Sequence, residues 1–225
     1  ITHLVYATTH NDILFFTDKG KAYQIKMYDI LEGKRATKGK SVMNFLSLAE
    51  GERVTSILPM PKNKKEAENM SLMMVTKNGT GKKSSAKHFH DVRRSGLIAI
   101  TLDDGDELIS TSFVSKNDEV MIATREGQSI RFKESDVREM GRNAAGVRVI
   151  KLDKPTKGGD NVISADIVSK EAKNPALFVM GANGYGKKTK LSEYKVQNRG
   201  GSGILTMRVT LKTGPLLAAR VVTDD

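Results

Sequence analysis

The 225-residue chain is long enough for one large all-β domain or two small ones, and its core must lean on Ile, Val, Leu and Met, since only 5% of residues are aromatic and none is Trp. The absence of cysteine excludes a disulfide framework, a thiolate metal site and a cysteine nucleophile, and is compatible with a reducing cytoplasm. Thirty-seven Lys and Arg against 26 Asp and Glu leave a formal charge of +11, which points to a polyanionic partner, while no apolar run approaches the roughly 20 residues of a membrane helix. At the start of the chain, Ile1-Thr2-His3-Leu4 has neither an initiator Met nor the charged-then-apolar order of a signal peptide, and reads as the opening of a piece cut from a longer protein.

The first predicted strand is Ile13-Leu14-Phe15-Phe16-Thr17, closed by Asp18-Lys19-Gly20. The same pattern returns as Leu72-Met73-Met74-Val75-Thr76 before Gly79, Val120-Met121-Ile122-Ala123-Thr124 before Gly127, and Ala176-Leu177-Phe178-Val179-Met180 before Gly184. A hairpin turn needs positive φ at one position, which explains the glycine. A second glycine follows each of these, Gly39, Gly96, Gly146 and Gly203, at offsets of 19, 17, 19 and 19 residues. Further strands are predicted directly after it, beginning Ser41-Val42, Leu97-Ile98, Val147-Arg148 and Ile204-Leu205. Return strands follow at Val54-Thr55-Ser56-Ile57-Leu58, Leu108-Ile109-Ser110, Val162-Ile163-Ser164-Ala165 and Leu216-Leu217-Ala218-Ala219.

Four repeats of about four strands in roughly 50 residues match the scale of propeller blades. The sequence therefore predicts a single all-β, β-propeller-like domain over 1–225, with repeats at approximately 4–69, 70–117, 118–174 and 175–225. Helical turns are expected only in connectors, such as Glu134 to Met140, and residues 61–69 and 153–160 read as surface insertions.

Charge follows the repeat. The windows between paired glycines, 20–39, 79–96, 127–146 and 184–203, carry +3, +4, +1 and +4, while all other residues together carry −1. Equivalent segments of stacked repeats recur along one band of the surface, and a basic band attracts a polyanion through phosphate contacts and counterion release. The candidate phosphate contacts are Lys21, Lys26, Lys34, Arg35 and Lys38 in the first repeat and Lys82, Lys83, Lys87, Arg93 and Arg94 in the second. The third offers Arg131, Lys133, Arg138, Arg142 and Arg148, and the fourth Lys187, Lys188, Lys190, Lys195 and Arg199. Acidic residues gather instead in the second hairpins, as in Asp103-Asp104-Gly105-Asp106-Glu107.

Other chemistry finds little support. The glycines of 181–186 precede no helix-forming pattern, so no helix N-terminus is available for a pyrophosphate. His88 and His90 alternate as metal ligands on a strand would, with no third ligand apparent. The acidic run 103–107 lacks the spacing of a calcium loop, and no nucleophile-elbow pattern appears, so neither catalysis nor a metal is expected.

Several segments resemble the C-terminal domain of DNA gyrase A, and that of the closely related topoisomerase IV. They are 13–23, the more specific stretch from Phe132 to Arg148, and Asn183-Gly184-Tyr185-Gly186-Lys187-Lys188-Thr189. The resemblance covers nearly the whole chain. It implies a β-pinwheel, a propeller whose blades exchange strands, and a basic perimeter that bends and wraps double-stranded DNA in support of negative supercoiling. It also implies a monomeric, cytoplasmic piece without cofactor of its own. The ATP and Mg²⁺ would serve the whole enzyme, through its ATPase partner subunit together with the rest of the parent subunit. The family's Gln-basic-Arg-Gly-Gly-basic-Gly box, needed for wrapping, is similar to Gln197-Asn198-Arg199-Gly200-Gly201-Ser202-Gly203, with Asn198 and Ser202 in place of the two basic residues. Two readings compete for this stretch: a weakened phosphate site built on Arg199 and the paired glycines, and a tight loop between blades. A propeller binding a protein or acidic peptide is the rival reading of the whole chain, and the few aromatic anchors count against it.

Overall fold

A computed structural model describes residues 3–34, 36–61, 63–153 and 159–224. Short apolar strands separated by glycine turns assemble four antiparallel sheets. β1 (Asp12–Thr17), β2 (Lys21–Lys26) and β3 (Val54–Pro59) build the first, and β4 (Ser71–Thr76), β5 (Thr80–Ser85) and β7 (Leu108–Val114) the second, with β6 (Leu97–Ile98) before β7 in sequence. β8 (Glu119–Thr124), β9 (Gln128–Lys133) and β11 (Val162–Val168) build the third, with β10 (Val147–Arg148) before β11. β12 (Ala176–Gly181), β13 (Gly186–Lys190) and β15 (Leu216–Val222) form the fourth, with β14 (Ile204–Leu205) before β15.

Each short strand crosses to the preceding sheet. The strand orders are β3-β1-β2-β6, β10-β5-β4-β7, β11-β8-β9-β14 and β13-β12-β15. Three blades thus have four strands, the outermost donated by the next repeat, and the fourth has three. This is the blade exchange of a β-pinwheel.

The apolar runs of β1, β4 and β8 are buried on both faces. In β4, Leu72 and Met74 pack with Leu14 and Phe16 of the first blade, while Met73 and Val75 pack with Val120 and Ile122 of the third. One strand therefore glues two blade interfaces through its alternating side chains. At the inner end, serines at equivalent positions stitch successive blades. Ser56 Oγ accepts from the Thr111 N–H at 2.9 Å, and Ser110 and Ser164 donate to the Ala165 and Ala219 carbonyls at 2.9 and 2.7 Å. β3, β7, β11 and β15 together line a cavity of about 310 Å³, so the long connectors lie at the opposite, outer edge.

Glycine marks where the exchanged strand passes. Gly127 has φ +88°, and a Cβ there would stand 2.0 Å from the Met207 carbonyl that follows β14. Gly203, φ +73°, approaches the Ser129 carbonyl of the receiving blade so closely that a Cβ would stand 2.1 Å away.

Two expectations are corrected. The first repeat has no strand at Ser41-Val42; a 3-10 helix, Val42–Asn44, stands there, with the Ser41 hydroxyl accepting from the Met43 N–H at 3.3 Å. Its three counterparts are strands because each finds the edge of a preceding sheet to pair with. The insertion at 61–69 is not all loop: α1 (Lys64–Glu68) forms behind Asn63, whose side chain accepts from the Lys65 N–H at 3.0 Å. Most of the other insertion, 154–158, lies outside the described residues.

Candidate nucleic-acid interface

The strand after each first turn ends in a 3-10 helix, at Met27–Asp29, Ala86–Phe89, Glu134–Asp136 and Leu191–Glu193. The one at Glu134–Asp136 replaces the longer helical turn expected from Glu134 to Met140. A loop then leads from each to the second glycine. These are the basic windows of the sequence, and the strand order puts all four at the outer edge of the sheets.

Most of the candidate cations stand free there. Lys34, Lys38, Lys87, Arg93, Arg94, Lys133, Arg138, Arg142, Arg148, Lys187, Lys190 and Lys195 are exposed, and none of them is in an ion pair among the described residues. Lys188 is also exposed but reaches Asp224 at 3.2 Å. Lys21 is half-buried beside the exchanged strand, and Lys26 meets Asp12 at 2.5 Å, a hydrogen bond that raises its pKa. Arg35 lies outside the described residues.

Four candidates are held by the protein itself. Lys82 is completely buried, against the expectation that it contacts a ligand. It lies on the inward face of β5, and its Nζ donates to the Ala99 carbonyl at 2.6 Å and to the Arg142 carbonyl of the next repeat. Desolvation, with Arg142 nearby, pulls its pKa down to about 8. Lys83 donates to the backbone carbonyl of Glu134 at 3.1 Å and pairs with its carboxylate. Arg131 pairs with Glu119 at 2.6 Å and donates to the Leu191 and Tyr194 carbonyls at 2.7 and 3.1 Å. Arg199 donates to the Asp136 and Arg148 carbonyls at 2.7 and 2.9 Å.

Cross-strand register makes Gln24, Lys83 and Arg131 equivalent. Gln24 accepts from the Val92 N–H at 2.9 Å, so all three side chains clamp the connector of the following repeat. The position of Lys82 is taken in the first blade by Tyr23, whose hydroxyl donates to Glu52 at 3.1 Å; burial and that bond push its pKa up to about 12.

The box-like stretch is docked rather than open. The Gln197 N–H donates to the Arg131 carbonyl at 2.8 Å and the Gly200 N–H to the Val149 carbonyl at 2.8 Å, while the Gly201 carbonyl accepts from the Lys151 N–H at 2.9 Å. Gly200 and Gly203 take φ +80° and +73°. Of the two readings, the inter-blade loop is the one this geometry matches.

Asp106 caps backbone, accepting from the Asn78 and Glu107 N–H groups at 3.0 and 2.8 Å. Among the described residues no group of three or more His, Cys, Asp or Glu is placed to hold a metal. No helix among the described residues is long and apolar enough to cross a membrane. The glycine-bounded windows miss the exposed Lys40, Lys151 and Arg208, since each lies just beyond a second glycine. Register finds the last two, which are three residues past the outward side chains of β10 and β14.

The family model described as "DNA gyrase C-terminal domain, beta-propeller" matches residues 11–59, 71–115, 118–169 and 176–223. The DNA gyrase A protein of Lawsonia intracellularis is 39% identical over 225 residues, all of this chain and 27% of that protein. Its Escherichia coli counterpart is 39% identical over 225 residues, and the Clostridium acetobutylicum counterpart 41% over 224. They cover 100% of the chain and 24% and 26% of those proteins, so the chain spans about a quarter of the length of these relatives. Among solved structures, the C-terminal domain of DNA topoisomerase IV superposes with TM-score 0.83 at 25% identity, over 96% of this chain and 65% of that one. The DNA gyrase A C-terminal domain superposes with TM-score 0.77 at 26% identity, over 97% and 68%.

Proposed function

The chain belongs to the DNA gyrase C-terminal domain family, and on that premise we propose that it binds, bends and wraps duplex DNA along the outer edge of its blades. The observation that carries this reading is the set of exposed cations, without an ion pair among the described residues, on the equivalent outer edge of all four blades. Such cations hold phosphates and release counterions without reading bases. Bending a duplex by 40–90° costs on the order of 1–6 kcal/mol, so the contact must be distributed over several blades. The serine hydrogen bonds between successive blades hold that array together while the DNA deforms.

In this reading the piece is non-catalytic. Strand cleavage, ATP and Mg²⁺ belong to the rest of the parent enzyme, its ATPase partner included, in the cytoplasm of a bacterium. The gyrase relatives favour the gyrase assignment over topoisomerase IV. The test is binding of a random-sequence duplex across a salt series. Log affinity should fall linearly with log salt, with a slope that corresponds to several phosphates. Affinity that is independent of salt, or absent at moderate salt, overturns the proposal.

A further inference from the structure

The outermost strand of each complete blade has two residues whose side chains point opposite ways. The first, Leu97, Val147 or Ile204, packs against an apolar cluster. The second, Ile98, Arg148 or Leu205, faces solvent, with Ile98 and Leu205 each 53% exposed. Register places Ile98 opposite Lys21, Arg148 opposite Thr80 and Leu205 opposite Gln128, on one face of each pair.

Single apolar residues on a surface are ordinary. These two stand at the same position of different blades, on the basic edge. Exposed cations stand close to them in the chain, Arg93 and Arg94 before Ile98 and Arg208 after Leu205. Isoleucine and leucine cannot bind a phosphate. An apolar side chain flanked by cations fits the sugar walls and floor of the minor groove, where bending proteins place apolar wedges and arginines. We propose that Ile98, Arg148 and Leu205 are minor-groove contacts of the wrapped duplex, one per blade, which position the bend while the connector cations hold phosphates. The inference rests on the DNA-wrapping reading above.

The test compares the wild type, an Ile98→Thr/Leu205→Thr variant that puts a strand-compatible β-branched residue at both sites, and a Lys187→Gln/Lys190→Gln control. Circular dichroism verifies each fold. Binding to a duplex of a few tens of base pairs is measured across salt, with and without netropsin filling the minor groove. Topology is read after ligase seals a nicked plasmid. The threonine variant should keep the wild-type salt slope, lose about tenfold in affinity at every salt and lose much of the linking-number shift. The lysine control should lose slope, and netropsin should weaken the wild type more than the threonine variant. Unchanged affinity and linking-number shift in the threonine variant, or wild-type binding indifferent to netropsin, overturns the inference. A wild type that binds no DNA overturns the wrapping reading itself.

Discussion

Lys82 and Lys187 occupy one register position, opposite the fourth residue of their partner strands, and their surroundings set them apart. Lys82 is covered by the loop of a following repeat and holds two carbonyls, with no carboxylate among the described residues paired to it; Lys187 faces solvent. The consequence for Lys82 is a stability that depends on pH. Its folded pKa, about 8, lies below the 10.5 of an unfolded lysine. Below pH 8 both states are protonated. Between the two values the unfolded chain binds more protons, so stability rises with pH, and it levels off above them. Against Lys82→Met, the wild type should gain on the order of 3 kcal/mol across that window in chemical denaturation. Parallel pH profiles would contradict the assignment. The same variant should leave the salt slope of DNA binding unchanged, since a buried ammonium meets no phosphate. Sequence showed a lysine in a basic window; its burial was not legible there, because it depends on which repeat folds over it.

At the scale of the element, the exchanged strand is what makes separate hairpins into one body. The paired glycines, at near-constant offsets, were readable as punctuation, yet their reason is tertiary. A Cβ on Gly203 would meet the Ser129 carbonyl at 2.1 Å, whereas one on Gly184 would meet nothing within 4 Å. Both have positive φ. Gly184→Ala should therefore cost only the backbone strain, about 1 kcal/mol, and Gly203→Ala upwards of about 3 kcal/mol as β14 is pushed off β9. Thermal melting of the two variants checks this, and equal losses would refute the close-approach role. The same dependence on partners explains why Ser41-Val42 reads as a strand and folds as a 3-10 turn. Arg131 and Arg199 mislead in the opposite direction: arginines in basic windows resemble phosphate ligands until the carbonyls they hold are seen.

Across the whole molecule, the blades present cations unequally. The third window has a net charge of +1 in sequence, and its Arg131 is paired with Glu119. In the fourth, Lys187, Lys190 and Lys195 stand exposed. Neutralising those three to glutamine should reduce the salt slope by about 3, roughly 1 per contact; Arg138→Gln with Lys133→Gln should change it less. The most direct measurement of wrapping is topological. A nicked plasmid is sealed by ligase with the protein bound, stripped of protein, and its linking-number distribution is read. Wrapping of the gyrase kind predicts a protein-dependent shift toward positive linking number that grows with protein and fades with salt. An unshifted distribution under conditions where the protein demonstrably covers the DNA would contradict chiral wrapping and leave a basic edge that only holds its duplex.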